Sequence, residues 1–130
     1  YGEASDTFSG GSSACCAVCA TMDVFEEEGI VERVRQIAPY FQEMLRRLKE
    51  QFAFILEIRG EGLVYGIDCV SAEIANKCVL EAYYGIGDEG VHFLGPLAKK
   101  VLRVSPPLII TKDEIDHAYE ILTFAWKRVD

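Results

Sequence analysis

The sequence lacks a long apolar run and lacks an excess of basic side chains. No apolar stretch approaches the roughly 20 residues that a helix needs to cross a bilayer, so we expect no membrane partner. Among its 130 residues, 13 are Lys or Arg and 21 are Asp or Glu, which gives a formal net charge of -8. Because nucleic-acid-binding domains carry a basic face, this balance argues against a nucleic-acid partner.

The sequence also lacks the composition of a disulfide scaffold. Its five cysteines are an odd number, whereas extracellular disulfide frameworks pair an even number. We therefore expect reduced thiols in a cytoplasmic protein. Cys15, Cys16 and Cys19 suggest a metal or redox module, but zinc needs four ligands, and neither His92 nor His117 has a spacing that completes a site. We expect no metal site and predict that these small side chains are buried.

The sequence begins with Tyr1 rather than methionine, and it shows no signal peptide. These two features predict a segment of a longer protein. Hydrophobic residues make up 50% of the chain and charged residues 26%, which is typical of a soluble globular protein that buries a core.

The apolar pattern predicts the order helix, helix, strand, strand, helix, strand, strand, helix. The predicted helices cover residues 12–28, 30–52, 71–84 and 111–128, and the predicted strands lie within 54–68, 91–94 and 101–105. The predicted N-cap residues are Ser12 or Ser13, Ser71 and Thr111. Short strands beside helices, with hairpin connections, indicate an α+β fold in which helices cover a small antiparallel or mixed sheet.

The segment 101–108 is a short strand that ends in two prolines. Pro106 and Pro107 have no amide hydrogen, so a sheet ladder cannot continue through them. Arg103 therefore lies close to the end of a strand, where its planar fork of donors can hold a carboxylate. On these residues alone, a surface arginine that faces water is the simpler interpretation.

The N-terminal segment is rich in Gly, Ser and Thr. Thr7 is followed by Gly10 and Gly11, and hydroxyls with backbone amides in such a loop can hold phosphate oxygens. Taken alone, this signal has low specificity, and an ordinary Ser/Thr-Gly turn is the simpler interpretation. His92 has no visible partner for acid–base chemistry, and we expect Arg59 to bind neighbouring acids in its hairpin.

Five motifs occur in one order along the chain. They are Thr-Phe-Ser-Gly at 7–10, the small-residue helix after it, Glu-Glu-Gly at 27–29, Arg-Gly-Glu-Gly-Leu at 59–63 and Arg-Val-Ser-Pro-Pro-Leu at 103–108. In this order and spacing they resemble the C-terminal part of class III aminotransferases. This is the pyridoxal-phosphate family of acetylornithine, ornithine and omega-amino acid aminotransferases.

The resemblance implies two parts of a fold-type I enzyme. Residues 1–28 would be the end of the large-domain cofactor loop and the interdomain helix, and residues 29–130 would be the small C-terminal domain. Thr7 would bind the phosphate of pyridoxal 5'-phosphate across a homodimer interface, although Gly10-Gly11-Ser12 replaces the family's Gly-Asn-Pro. Arg103 would hold the carboxylate of an amino acid or of a 2-oxo acid.

The resemblance also implies what the chain would need from elsewhere. In the family, the Schiff-base lysine and the aspartate that meets the pyridine nitrogen precede the Thr-Phe segment, and no lysine precedes Thr7 here. We therefore expect no catalytic residue in this chain and no transamination by the chain alone. The alternative is a non-catalytic folding or association domain with an inherited aminotransferase scaffold.

Overall fold

The computed structural model describes residues 10–94 and 99–129. The chain forms two compact units, Tyr1–Arg33 and Val34–Asp130. The first unit contains helix α1, Ser12–Glu27, and the start of helix α2, Ile30–Gln51. The second unit contains the rest of α2 and all other elements. No helix in the described ranges has the length and apolar content that a bilayer crossing requires.

Helix α1 begins and ends at glycines. Its N-cap is Gly11, in extended conformation and without a side-chain cap, so the prediction of a Ser12 or Ser13 cap was wrong. Both serines lie inside the first turn of the helix, so neither of them is its N-cap residue. At the other end Gly29 has a φ of +60°, a left-handed conformation that favours glycine just after a helix. The predicted end of this helix is confirmed.

The cysteines of α1 are exposed, which contradicts the prediction that they are buried. None of the helix residues is buried, and Cys15, Cys16 and Cys19 all face solvent. Six consecutive small or apolar residues, 15–20, point around the whole circumference of a helix and cannot share one buried face. In contrast, Cys69 and Cys78 of the second unit are buried.

Helix α2 supplies one wall of the core in the second unit. Its apolar residues recur every three or four positions, and those of residues 34–51 that are buried are Ile37, Phe41, Met44, Leu45 and Leu48. Pro39 lies inside the helix and is exposed. The amphipathic helix predicted for this stretch is confirmed.

Three antiparallel strands form the sheet, in the order β1-β2-β3. They are β1, Ile55–Glu61, β2, Val64–Cys69, and β3, Val101–Val104. The β1–β2 hairpin turns at Gly62, whose φ is +61°. Among the described residues, the predicted strand at 91–94 is reduced to one bridge, between Leu94 and Arg103, so that prediction was wrong in extent.

Helices α3, Ala72–Tyr84, and α4, Lys112–Trp126, complete the second unit. The Ser71 hydroxyl accepts a hydrogen bond from the Ile74 amide at 3.2 Å, and Thr111 forms a capping box with Glu114. Both predicted caps are confirmed. The predicted α+β arrangement of helices with a small antiparallel sheet is confirmed as well.

The core of the second unit centres on Trp126. Its ring packs against Phe52, Phe54 and Phe93 at centroid distances of 5.8, 5.9 and 6.0 Å. Its indole Nε1 donates to the Cys78 carbonyl at 3.1 Å, so the one polar atom of the ring is satisfied at full burial. Aromatic residues from the connection between α2 and β1, from the segment before β3 and from α4 therefore fix the scaffold that carries β3.

Candidate functional site

Arg103 is held by backbone pairing on both sides. In β3 it pairs with Gly66 of β2, and an isolated bridge joins it to Leu94 on its other side. Pro106 and Pro107 follow within four residues, and β3 ends at Val104. The backbone of Arg103 thus occupies a fixed position at the end of a short strand, as the sequence predicted.

The strand alternation places Arg103 on the open face of the sheet. Leu102 and its cross-strand partner Ile67 are both fully buried, at 0% exposure. Successive side chains on a strand point to opposite faces, so Arg103 lies on the face opposite this core. Its side chain is exposed, as it must be if it is to meet a ligand.

Gly66 lies between two arginines on this face. It pairs with Arg103 on one side and with Arg59 on the other. Directly paired residues point to the same face with their Cβ atoms about 5 Å apart, so Gly66 leaves a gap in the side-chain layer beside Arg103. A Cβ built on Gly66 would lie 3.1 Å from Val101 Cγ1, so a side chain at position 66 requires Val101 to shift slightly.

The two arginines differ in their partners. Arg59 Nε lies 3.6 Å from Glu57 Oε2 in an exposed pair, which fits the predicted structural role in the hairpin. The neighbouring cation Lys100 is bound to Asp68 at 3.1 Å. Within residues 10–94 and 99–129, Arg103 forms no ion pair. Its guanidinium is therefore available for the carboxylate of a ligand.

A cavity of about 270 Å³ adjoins the end of β3. Its wall is mostly apolar, and the residues that line it include Phe41, Phe93, Ile115, Leu122, Arg103 and Pro106. This cavity is not predictable from local sequence patterns, because its wall combines residues from α2, the sheet and α4. Gly66 was not among the predicted site residues, although a glycine inside an alternating strand is a signal of close approach.

The other predicted site residue, Thr7, lies outside the described residues. His92 is exposed and contacts the Tyr83 ring rather than an acid–base partner. Across residues 10–94 and 99–129, no three His, Cys, Asp or Glu side chains converge to hold a metal ion. Arg103 is thus the one predicted ligand-binding side chain that the described structure positions.

The motif order and the fold agree with the family comparison. The family model described as "Aminotransferase class-III" matches residues 1–125. The chain belongs to this family. The family assignment predicted from the five motifs is confirmed, and pyridoxal phosphate is the cofactor of the enzymes of this family.

Curated relatives support the same assignment. Acetylornithine aminotransferase from Caldanaerobacter subterraneus subsp. tengcongensis is 36% identical over 121 residues, which cover 93% of this chain and 29% of that protein. The (R)-1-hydroxy-2-aminoethylphosphonate ammonia-lyase from Vibrio splendidus is 32% identical over 119 residues, which cover 88% of this chain and 25% of that protein. This class III chain therefore spans less than a third of the length of these relatives.

Solved structures of aminotransferases contain the same fold. An amine transaminase from an uncultivated Pseudomonas species, in its PLP-bound form, matches with a TM-score of 0.82 and 27% identity over 98% of this chain and 30% of that chain. An adenosylmethionine-8-amino-7-oxononanoate aminotransferase from Methanocaldococcus jannaschii matches with a TM-score of 0.80 and 28% identity, again over 98% and 30%. The similarity therefore covers nearly all of this class III chain.

Proposed function

We propose that this chain carries the substrate-carboxylate clamp of a longer class III aminotransferase. That enzyme moves an amino group between an amine or amino acid and a 2-oxo acid. The observation that carries the proposal is Arg103, which is fixed between Gly66 and Leu94 and has no ion-pair partner among the described residues. An unpaired guanidinium on an open sheet face binds a planar carboxylate through two parallel hydrogen bonds.

In this proposal Arg103 orients the substrate and does not transfer protons. Guanidinium groups stay protonated at all working pH values, so Arg103 acts as a permanent cation. Holding the carboxylate at one point limits rotation of the bound amine or oxo acid relative to the rest of the site. Removing such a contact, if it is desolvated in the closed site, costs roughly 2–5 kcal/mol of binding.

Pyridoxal phosphate supplies the electron sink of the reaction when it is bound. Of the residues predicted to meet it, this chain contributes Thr7 to the phosphate site, with the neighbouring subunit of a homodimer completing it. Three of the described lysines have other contacts: Lys77 Nζ donates to the Val129 carbonyl, Lys100 is paired with Asp68, and Lys112 lies over the Tyr40 ring. On this proposal the Schiff-base lysine comes from another part of the enzyme.

It follows that the isolated chain does not transaminate. Residues 1–28 belong with the large domain on this account, and residues 29–130 form the small domain. Treating the purified chain with pyridoxal phosphate and borohydride, then measuring intact and peptide masses, should give no stoichiometric adduct at any one of the six lysines. A single clean adduct accompanied by turnover would contradict this part of the proposal.

The cysteines bear on where the enzyme works. All five are free thiols, which supports a reducing compartment such as the cytoplasm. Recovery of the enzyme from cells with the five thiols of this segment unmodified, counted by peptide mass after alkylation, is the expected result.

The clamp is tested in the parent enzyme with Arg103→Leu and Arg103→Lys. The matched control is Arg59→Leu, because Arg59 lies on the same sheet face but is paired with Glu57. We expect Arg103→Leu to raise KM for the 2-oxo acid at least about 30-fold, Arg103→Lys to restore part of the binding, and Arg59→Leu to change KM little. Equal effects of Arg103→Leu and Arg59→Leu would refute the proposed role and favour a non-catalytic scaffold.

A further inference from the structure

We propose that a concavity at the end of α3 binds an alkylammonium group. The rings of Tyr83, Tyr84 and His92 and the carboxylate of Asp88 form this concavity, which we call the aromatic corner. Its volume is about 340 Å³. It shares His92 with the cavity beside β3 but does not contain Arg103, so the two proposals are tested separately.

The ring arrangement suits a cation. The Tyr83 and Tyr84 rings have centroids 6.0 Å apart with 73° between their planes, and the Tyr83 and His92 rings have centroids 6.2 Å apart at 74°. Rings near a right angle at this spacing can present two faces to one bound group. A cation is attracted to an aromatic face when it lies within roughly 6 Å of the ring centroid.

The exposure of these rings is itself unusual. Tyr83 is 63% exposed, and Tyr84, the next residue of the same helix, is 66% exposed. Exposed apolar side chains are ordinary when they are scattered singly, whereas a contiguous cluster marks a contact or ligand site. Here three aromatic rings share one concavity, so a ligand in it can contact more than one ring.

The charge of the aromatic corner selects a cation rather than a neutral ligand. Among the described residues that line the concavity, only Asp88 has a carboxylate. The adjacent acid, Glu89, is paired with His117. Its Oε2 atom lies 3.1 Å from His117 Nε2. The chain as a whole carries a net charge of -8, which also attracts cations.

The backbone holds the aromatic corner in a fixed shape. Ile86 and Glu89 exchange two backbone hydrogen bonds, of 2.8 and 3.1 Å, and close a tight turn around Gly87 and Asp88. A Cβ on Gly90 would lie 2.2 Å from the Tyr83 carbonyl oxygen, so the returning chain passes directly against the end of α3. A preformed site loses little conformational entropy when a ligand binds.

The test uses the purified chain, choline as the cation, and its uncharged carbon isostere dimethylbutanol. In a titration followed by amide chemical shifts, choline should cause saturable shifts at residues 83–92. Each exposed ring face contributes about 2- to 5-fold in affinity for a cation, so the isostere should bind at least about fivefold more weakly. Equal binding of the two, or no saturable shift with choline, would overturn the proposal.

Variants place the binding at the rings. Tyr83→Leu should weaken choline binding by about 2- to 5-fold, and Tyr83→Phe should retain it, because phenylalanine keeps the ring face. Asp88→Asn should weaken choline binding without changing the shape of the side chain at position 88. The matched control is Phe124→Leu, which removes an exposed ring outside the aromatic corner and should leave binding unchanged. Full choline affinity in Tyr83→Leu would contradict the proposal, and an unaltered far-ultraviolet circular dichroism spectrum would show that this variant is folded.

Discussion

Arg103 lies directly opposite Gly66 in the antiparallel pairing of β3 with β2. Arg103 is the predicted carboxylate clamp. Its cross-strand partner is thus a glycine, the residue type without a side chain. Because paired residues point to the same face, any side chain at 66 would lie beside the Arg103 stem. The glycine therefore leaves the position across from Arg103 without a side chain on the open face of the sheet.

Gly66→Ala should weaken substrate binding while leaving the fold intact. Its methyl group would lie 3.1 Å from Val101 Cγ1, so Val101, which precedes Arg103 by two residues and shares its sheet face, must shift. We expect KM for the 2-oxo acid to rise roughly 10-fold in the parent enzyme, because small displacements of a positioning group are costly. The free energy of unfolding should change by less than about 1 kcal/mol, since alanine fits a strand better than glycine.

Val64→Ala is the matched control for this variant. Val64 is exposed and lies on the same face of β2, but it pairs with Glu61 rather than with Arg103. An increase of KM in Val64→Ala equal to that in Gly66→Ala would show that the effect belongs to the strand and not to the space beside Arg103.

Thr111→Ala should destabilise the second unit by about 1 kcal/mol. The Thr111 hydroxyl accepts from the Glu114 amide at 3.3 Å, and the Glu114 carboxylate accepts from the Thr111 amide at 2.7 Å. Removing the hydroxyl leaves the amide at the start of α4 without its cap. The measurement is urea unfolding followed by Trp126 fluorescence, with Ser12→Ala as control because Ser12 does not cap α1. Equal losses in both variants would contradict this assignment.

Raising the pH above about 10 should reduce stability through Tyr40. Its hydroxyl donates to both carboxylate oxygens of Asp116, at 2.6 and 2.8 Å, and this hydrogen bond raises the pKa of Tyr40. A raised pKa in the folded state means that the folded chain retains a proton that the unfolded chain has released. Its stabilising effect is therefore complete below the unfolded pKa and is lost as the pH rises through the folded pKa.

Urea unfolding between pH 8 and pH 11 (a range of roughly one to two units around the tyrosine pKa) measures this effect. Tyr40→Phe should make the decline shallower but not abolish it, because burial also raises the pKa of Tyr65. Tyr65→Phe should remove the second contribution. An identical decline in the wild type and in Tyr40→Phe would show that the bond to Asp116 does not couple folding to pH.

The five thiols should react in two groups. Cys15, Cys16 and Cys19 are exposed on α1, whereas Cys69 and Cys78 are buried. A hydrogen bond from the Cys78 thiol lowers the pKa of Cys69, but thiol reagents need access as well as a thiolate. A disulfide reagent should therefore modify three thiols rapidly and the other two only on unfolding. Rapid modification of all five would contradict the buried positions in the second unit.

Much of the fold is predictable because its signals are local. The Thr111 cap, the Ser71 cap and the strand that ends before Pro106 each depend on residues within a few positions of one another. The site is less predictable because it is not local. Gly66 and Arg103 are 37 positions apart, and only the strand register brings them together.

The wrong predictions that the small residues of α1 are buried and that 91–94 is a strand also have physical causes. A run of small residues in α1 looked like a buried surface, but consecutive helical residues point in all directions and all of them are exposed. The stretch 91–94 has strand-forming residues, yet in the described structure only Leu94 pairs, because the backbone just before it is bound to the end of α3 through Val91 and Ala82. Tertiary contacts overrode a local preference there.

The most direct test of the account measures whether Arg103 recognises a carboxylate. In the parent enzyme, kcat/KM is determined for a 2-oxo acid and for its uncharged amide analogue, with wild-type protein and with Arg103→Leu. The account predicts that Arg103→Leu costs roughly 2–5 kcal/mol of transition-state binding with the acid and almost nothing with the amide. Equal losses with both substrates, or no loss with the acid, would contradict the assignment of Arg103 as the carboxylate clamp.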